Sequence, residues 1–551
     1  MWLTAAFERV RRRLILVPET VPSPPRDARR ARRRERRGAP LLPLWAAVLV
    51  ALAAGPLLAW AFPPVGAWPL AFVAVALVLV TNIGRSAWAG VLVGFLFGIS
   101  FHLVMIVWIT RYLGPIPWFA LTGLESVLFA VGTVPIVLAY RWLPRLASGR
   151  WARLVALPVL VAGLWTAREI WFGSWPYTGF PWARIGMSMS SSPLAETASW
   201  VGVSGLTFLI VLTAAMAVQA VRLFAAADRT WFSVVPVAAT LAVLILTPQF
   251  PTTPAGTMRV GAVQGNGPAG YFDDRAPNAV LQAQLDATVP IMDDKLDLLL
   301  WPEGSVDSDP LQNQTTARTL IRLSEQIDAP LLVNAATQRD ADIFNTSILW
   351  DGAAGAVQMH DKRNPVPFGE YVPDRKFFEP LAPDLIGLIG REYTPGTNAP
   401  IVSVKGVGVG LAICFDVIYD EVIQEGARDG AQVYMFQTNN ADFRGTSENL
   451  QQLAFARMRA IETGRSVVNI STVGTSQVIA PDGTTIDHLV ADEPGAMVTD
   501  VPLRTGLTPA VLLGNVLSIL LYGGSLLALV AVGVTVLVRR RGAVPVGDDA
   551  S

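Results

Sequence analysis

Cysteine is nearly absent from this 551-residue chain: Cys414 is its one thiol, so no intramolecular disulfide can form and no cysteine cluster can hold zinc. Histidine is almost as scarce, at positions 102, 360 and 488, and no pair has local metal-ligand spacing. The sequence gives no reason to expect a metal or an organic cofactor. Charge is thin as well, at 16% of residues against about 25% in an ordinary soluble domain. The 43 basic residues balance the 43 acidic ones, but unevenly: residues 1–40 hold twelve arginines against four acids. Long stretches beyond them carry almost no charge. With 52% hydrophobic residues and a mean hydropathy of +0.43, the chain is neither disordered nor a simple soluble enzyme.

What is present in abundance is apolar sequence in long runs. Seven candidate spans occupy about 42–60, 66–81, 87–109, 118–140, 153–171, 201–220 and 231–248, and an eighth covers 509–538. Several exceed the length a helix needs to cross about 30 Å of hydrocarbon. The chain thus divides into an Arg-rich tail (1–40), a seven-helix region (41–250), a polar domain (251–508), a last span (509–538) and a short basic tail (539–551). The run Arg29-Arg30-Ala31-Arg32-Arg33-Arg34-Glu35-Arg36-Arg37 lies just before the first apolar segment. That position fits a cytoplasmic anchor beside anionic lipid better than a nucleic-acid site, since no aromatic platform accompanies it. Arginines 85, 141, 145, 150, 153, 222 and 229 fall in loops that alternate to the same side, and seven spans put the polar domain on the other.

Residues 258–505 read as one layered α/β domain. Apolar strands are predicted at Met258–Gln264, Leu296–Trp301, Leu331–Ala335, Thr346–Trp350, Val407–Ile413, Val433–Gln437, Val467–Ser471 and Ser476–Ala480. Helical periodicity covers about Pro277–Lys295, Thr315–Gln326, Tyr419–Asp429 and Ser447–Thr463. The apolar stretch from Phe377 to Ile389 is expected to form a lid or a membrane-facing arm. The aromatics between Trp171 and Trp182 suit a membrane interface. His102 and Glu125, ionisable residues within spans, are expected to serve helix packing.

Three segments of the polar domain carry reactive side chains. Leu300-Trp301-Pro302-Glu303-Gly304 sets a carboxylate just past a buried-type strand. His360-Asp361-Lys362-Arg363 precedes Pro365-Val366-Pro367-Phe368-Gly369-Glu370. Leu411-Ala412-Ile413-Cys414-Phe415-Asp416 sets the sole cysteine where a strand gives way to a turn and helix, the edge at which open α/β sheets gather reactive groups. A thiol attacks well once deprotonated; a helix N-terminus favours its thiolate, and a carboxylate within reach can take its proton. Glu303 is the candidate base. A charged lysine accepts no proton but steadies an oxyanion, which makes Lys362 the candidate for that role. Glu370 either orients Lys362 and keeps it protonated or acts as a second acid–base group. Cys–His catalysis is less attractive, with His360 alone left for folding to bring close. Taken singly, each segment has a bland reading, and chain spacings of 59 and 52 residues do not by themselves establish contact.

Trp301-Pro302-Glu303, Lys362-Arg363 with Val366-Pro367-Phe368-Gly369-Glu370-Tyr371, and Ile413-Cys414-Phe415-Asp416 resemble, in this order and between these spans, the catalytic pattern of the apolipoprotein N-acyltransferase family. These are membrane-embedded members of the nitrilase superfamily, and the resemblance covers about residues 41–538. It implies an eight-span helical bundle joined to an extracytoplasmic nitrilase-like α-β-β-α sandwich, multi-pass in the bacterial cytoplasmic membrane. It further implies Glu303 as general base, Lys362 as transition-state stabiliser, Cys414 as nucleophile and Glu370 as a further required glutamate. The implied reaction moves a fatty acyl chain from a phospholipid to the N-terminal amine of an S-diacylglyceryl-cysteine apolipoprotein through a cysteine thioester, without a cofactor. A membrane-anchored amidase or other nitrilase-like hydrolase is the alternative, and one bundle supplies a complete site, so a monomer is expected. Phe415-Asp416 departs from the Tyr-Glu of many proteobacterial members, and Asp442 stands where those have an aromatic. These variants and the Arg-rich extension resemble actinobacterial members.

Overall fold

The computed structural model describes residues 40–225 and 231–542. The arginine run at 29–37 and the end of the 539–551 tail lie outside the described residues. Seven helices of ten residues or more precede the polar domain among the described residues: α1 (Leu44–Ala59), α2 (Pro69–Asn82), α3 (Ala87–Met105), α4 (Pro115–Leu146), α5 (Ala152–Phe172), α6 (Ala195–Phe224) and α7 (Phe232–Leu246). The domain then contributes α8 (Ala279–Thr288), α9 (Gln314–Ile327), α10 (Asp420–Arg428) and α11 (Glu448–Thr463), and α12 (Pro509–Arg539) ends the described chain.

Eight membrane-crossing helices are not what the described residues contain. Five are long and apolar enough to cross: α3, α4, α5, α6 and α12. α1 has 16 residues and α2 has 14, so they rise about 24 and 21 Å, short of the ~30 Å hydrocarbon core; α7 is likewise short. Hydropathy over-counted because it scores apolar residues whether or not they are helical. Pro43 is extended, which leaves Leu41 and Leu42 outside α1, and the turn after Trp60 delays α2 until Pro69. Four of the five long helices precede the polar domain, so an odd count no longer fixes that domain's side.

Within the helical region, backbones approach through small residues. Gly90, Gly94 and Gly98 recur at every fourth position of α3 and face α4: a Cβ on Gly98 would meet the Ser126 Cα at 2.8 Å, and one on Gly90 would meet Val137 at 2.6 Å. By contrast α12 exposes Leu512, Leu513, Val516, Ile519 and Leu520 along its length, as a helix at the lipid-facing edge does.

The polar domain is built on two six-stranded sheets. The first has the order β12-β1-β2-β3-β4-β5, from Gly495–Thr505 (β12), Thr253–Gln264 (β1), Leu298–Leu300 (β2), Leu331–Arg339 (β3), Asp342–Asp351 (β4) and Gly355–Asp361 (β5). The second runs β11-β10-β9-β8-β7-β6, from Thr485–His488, Gln477–Ile479, Ser466–Ser471, Val433–Thr438, Val407–Ile413 and Ile401–Val404. Parallel pairs (β1–β2, β2–β3, β7–β8, β8–β9) form each centre, and antiparallel strands form the edges. Val260, Leu300 and Leu332 of one sheet pack against Leu411, Met435 and Val468 of the other, which makes the inner layer. α8 and α9 cover the first sheet. α10 and α11 cover the second, and their buried residues continue without a break into the core of the helical region. That continuity seats the domain on the membrane part through α11.

Candidate active site

Glu303 owes its position to hydrogen bonds around the end of β2. Gln437 Nε2 on β8 donates to the Trp301 carbonyl at 2.6 Å, and the turn beyond is closed by Gly304, at φ +66°, whose N–H donates to Asn334 Oδ1 at 2.7 Å. Lys362 follows β5, and its backbone N–H still pairs with the Asn345 carbonyl of β4 at 2.8 Å. Glu370 folds back from a tight turn, its Oε2 accepting the Val366 N–H at 2.7 Å. These three local structures bring the side chains together. Lys362 Nζ lies 3.1 Å from Glu303 Oε1 and 2.8 Å from Glu370 Oε2, and Asn345 Nδ2 donates to both glutamates, at 2.8 and 3.1 Å.

Cys414 follows β7 with a non-glycine φ of +49° and starts a five-residue 3-10 turn, Cys414–Ile418. Such a backbone costs about 1–3 kcal/mol and is held by its surroundings. Asp416 is one brace, accepting the N–H groups of Arg363 at 3.2 Å and Asn364 at 2.9 Å, which ties the cysteine turn to the lysine segment. Arg459 on α11 is another, donating to the carbonyls of Val417 and Ile418, each at 2.8 Å. No α-helix begins at the thiol; α10 starts six residues later. The expected helix N-terminal activation of the sulfur is therefore corrected.

Electrostatics point the same way. Burial, then Glu303, push the Cys414 thiol well up, opposed by Lys362. Burial also pushes the Glu303 carboxyl up, with Lys362 opposing. For Lys362, burial works against the charge, but Glu303 and Glu370 outweigh it and hold the ammonium well above its ordinary range. His360 is buried in β5 and pushed down to about 4 by burial, so it is neutral near pH 7. The resting site thus holds a protonated thiol beside a fixed ammonium and two carboxyl groups.

The cysteine turn packs against the helical region. Phe415 stacks with Phe180 and Trp182, at ring distances of 6.2 and 6.4 Å, and Trp182 continues to Trp108 at 5.0 Å. The segment from Phe377 to Ile389 holds two one-turn helices, Arg375–Phe378 and Pro383–Ile386, with Phe377, Leu381 and Leu388 exposed. It rests on the loop after α5 through Phe378 against Tyr177 and a 2.7 Å bond from Tyr177 Oη to Asp374. His102 and Glu125 are 3.9 Å apart in a separate cleft among the helices. Sequence reading did not single out Asn345, Asn334 or Gln437; amides carry no motif, and strand pairing alone reveals them.

Two family models match. Residues 54–216 match the apolipoprotein N-acyltransferase N-terminal domain, and residues 259–506 match carbon-nitrogen hydrolase. The apolipoprotein N-acyltransferase of Mycolicibacterium smegmatis is 32% identical over 541 residues, covering 91% of this chain and 88% of that protein. The chain belongs to the apolipoprotein N-acyltransferase family. The namesake enzyme of Pseudomonas aeruginosa is 29% identical over 483 residues, covering 85% of this chain and 92% of the relative. Among solved structures, a mutant amidase from Nesterenkonia sp. AN1 aligns with 20% identity and a TM-score of 0.34, over 44% of this chain and 93% of that one. Both parts of the chain, helical and catalytic, thus match parts of this one nitrilase-superfamily family.

Proposed function

We propose that this chain transfers a fatty acyl chain from a phospholipid to the N-terminal amine of an S-diacylglyceryl-cysteine apolipoprotein. The observation that carries the reading is the gathering of Glu303, Lys362 and Cys414 beside a turn packed on aromatics of the helical region. Cys414 Sγ attacks the donor ester carbonyl while Glu303 takes its proton; the negative charge passes from Glu303 to the oxyanion, where Lys362 stays opposite it. Collapse expels the lysophospholipid, which regains the proton from Glu303, and leaves an acyl thioester on Cys414. The acceptor amine attacks that thioester, its proton passes by Glu303, and the thiol leaves as the amide forms. Glu370 holds Lys362 in place throughout and takes no proton.

A membrane setting suits this chemistry because each CH₂ drawn into water costs about 0.8 kcal/mol, so lateral entry spares a donor chain that cost. The exposed apolar arm at Phe377, Leu381 and Leu388 fits the lipid boundary. The reading of sidedness rests on one helix. The domain precedes α12, and α12 runs into Arg539-Arg540-Arg541 at its far end, which sets that basic end across the membrane from the domain. Trp142 packs where a Cβ on Gly533 would sit, at 2.7 Å, which brings Arg141 and Arg145 to that same basic end. The positive-inside rule then puts this end in the cytoplasm and the catalytic domain outside. The test is to load the enzyme with labelled phospholipid, remove free lipid, and add a diacylglyceryl peptide. The label should leave as an N-acylated peptide; release as free fatty acid at the same rate with or without peptide would favour a hydrolase instead.

A further inference from the structure

One polar chain beside the nucleophile has no part in the reaction as described so far. Gln452 Nε2 on α11 donates to Cys414 Sγ at 3.4 Å. Its Oε1 accepts from Asn440 Nδ2 at 2.8 Å, and the same amide nitrogen gives its second hydrogen to Glu448 Oε2 at 2.7 Å. Asn440 Oδ1 accepts from Ser471 Oγ at 2.6 Å, and Ser471 Oγ in turn accepts the Gly474 N–H at 2.9 Å. Asn440, Glu448, Gln452 and Ser471 are all buried.

An amide can turn over and present oxygen where nitrogen stood, so a lone glutamine beside a sulfur has no fixed sense. Here the sense is fixed from the far end. A hydroxyl donor at Ser471 holds the Asn440 oxygen, which leaves the Asn440 nitrogen toward Glu448 and Gln452. Asn440 then fixes Gln452 with its oxygen inward and its N–H toward sulfur. We infer that Gln452 is a catalytic residue whose N–H stabilises negative charge on the Cys414 sulfur, and that Asn440 and Glu448 are positioning residues that hold its amide in this sense. The need is clear from the site's charges: Glu303, Glu448 and Glu370 all oppose charge on the sulfur and only Lys362 favours it. A neutral donor adds stabilisation where sulfur gains charge, during attack and again when it leaves the thioester, without adding a competing base. No proton moves along this chain; each group only donates or accepts a hydrogen bond. The role rests on Cys414 being the nucleophile of the reaction proposed above.

The test measures the thiol directly, which separates it from acyl transfer. Full-length protein in detergent is titrated with iodoacetamide from pH 6 to 10, and Cys414 alkylation is followed by intact mass. Gln452→Leu should slow alkylation at pH 7.5 roughly ten- to a hundredfold and move the apparent thiol titration upward, as loss of a hydrogen bond to a charged group would. Glu448→Ala should show part of that loss, and Glu448→Gln, whose carbonyl still accepts from Asn440, should recover most of it. Thermal melts of each variant check that it is folded. A folded Gln452→Leu protein with the wild-type alkylation profile would overturn the inference while leaving acyl transfer itself intact, and Glu448→Gln as slow as Glu448→Ala would overturn the positioning role.

Discussion

An ammonium bonded to two carboxylates in a buried pocket is worth most to a reaction that moves negative charge past it. Lys362 has that setting, and its side chain is 1% exposed. Lys362→Ala removes the fixed positive charge where the oxyanion forms; the loss should be about 2.7–4 kcal/mol of transition-state stabilisation, or 10²–10³ in kcat. Steady-state transfer to a labelled peptide measures it. Glu448 makes a second prediction. Burial pushes its carboxyl up to about 8, so the folded state holds that proton more tightly than the unfolded chain, whose glutamate titrates near ~4.3. A raised carboxyl favours folding at low pH, and this contribution is lost as pH rises from the unfolded value to about 8. Glu448→Gln removes the titration, so its Tm should gain on wild type between pH 5 and 8 and hold a constant gap above that. Differential scanning in detergent reads the difference. Glu303, Lys362 and Cys414 were legible in the sequence because charged and nucleophilic residues beside strand ends are conspicuous. Gln452 and Asn440 were not, because an amide becomes informative only when its neighbours are known.

The turn that carries Cys414 is pinned by α11. Arg459 is wholly buried; besides the Val417 and Ile418 carbonyls it reaches Asp420 at 2.7 Å and Glu462 at 2.5 Å. Arg184, from the loop before α6, completes the group with two bonds to Asp420, at 2.7 and 2.6 Å. Removing one partner of such a network leaves buried carboxylates uncompensated, and Arg459→Met should cost about 3–5 kcal/mol. Burial opposes the Asp420 charge, yet Arg184 and Arg459 hold its carboxyl well below the ordinary aspartate range. The stability it contributes is full near neutral pH and lost on acidification below about pH 4. Arg459→Met should therefore lower Tm at pH 7 and unfold at a higher pH during acid titration. The periodicity of Ser447–Thr463 pointed to this helix but gave it one apolar face. It is instead buried almost all round, with Leu450 at its exposed edge, because the helical region covers the side a soluble domain would leave wet. Strand β5, which delivers Lys362, and strand β12 carry too many polar residues to stand out alone; each is recruited by pairing with a stronger neighbour.

Catalytic domain and helical region share one core, joined where α11 meets the long helices. Gln451 marks the joint: its Oε1 accepts from Trp182 Nε1 at 2.7 Å and Trp108 Nε1 at 3.1 Å, while its Nε2 reaches the Met105 carbonyl at 3.3 Å. The neighbouring Gln452 touches Cys414, so the membrane part and the nucleophile are held by adjacent residues of one helix. The alternation of strands and helices made the catalytic domain readable, whereas the number of crossing helices was not. Hydropathy measures composition, and crossing also requires an unbroken helical rise that the prolines near 43 and 69 interrupt. Sidedness is testable apart from that number. A cysteine at exposed Asp482 in a Cys414→Ala background should react with an impermeant maleimide added to intact spheroplasts, and one placed after Arg541 should react only once the membrane is opened. The most direct measurement is the intact mass of the purified protein after incubation with phospholipid carrying a labelled acyl chain. The mass should rise by one acyl group on wild type, hydroxylamine should remove it, and Cys414→Ala should not gain it. An equal gain in Cys414→Ala, or no adduct under conditions where peptide is acylated, would contradict a thioester on Cys414.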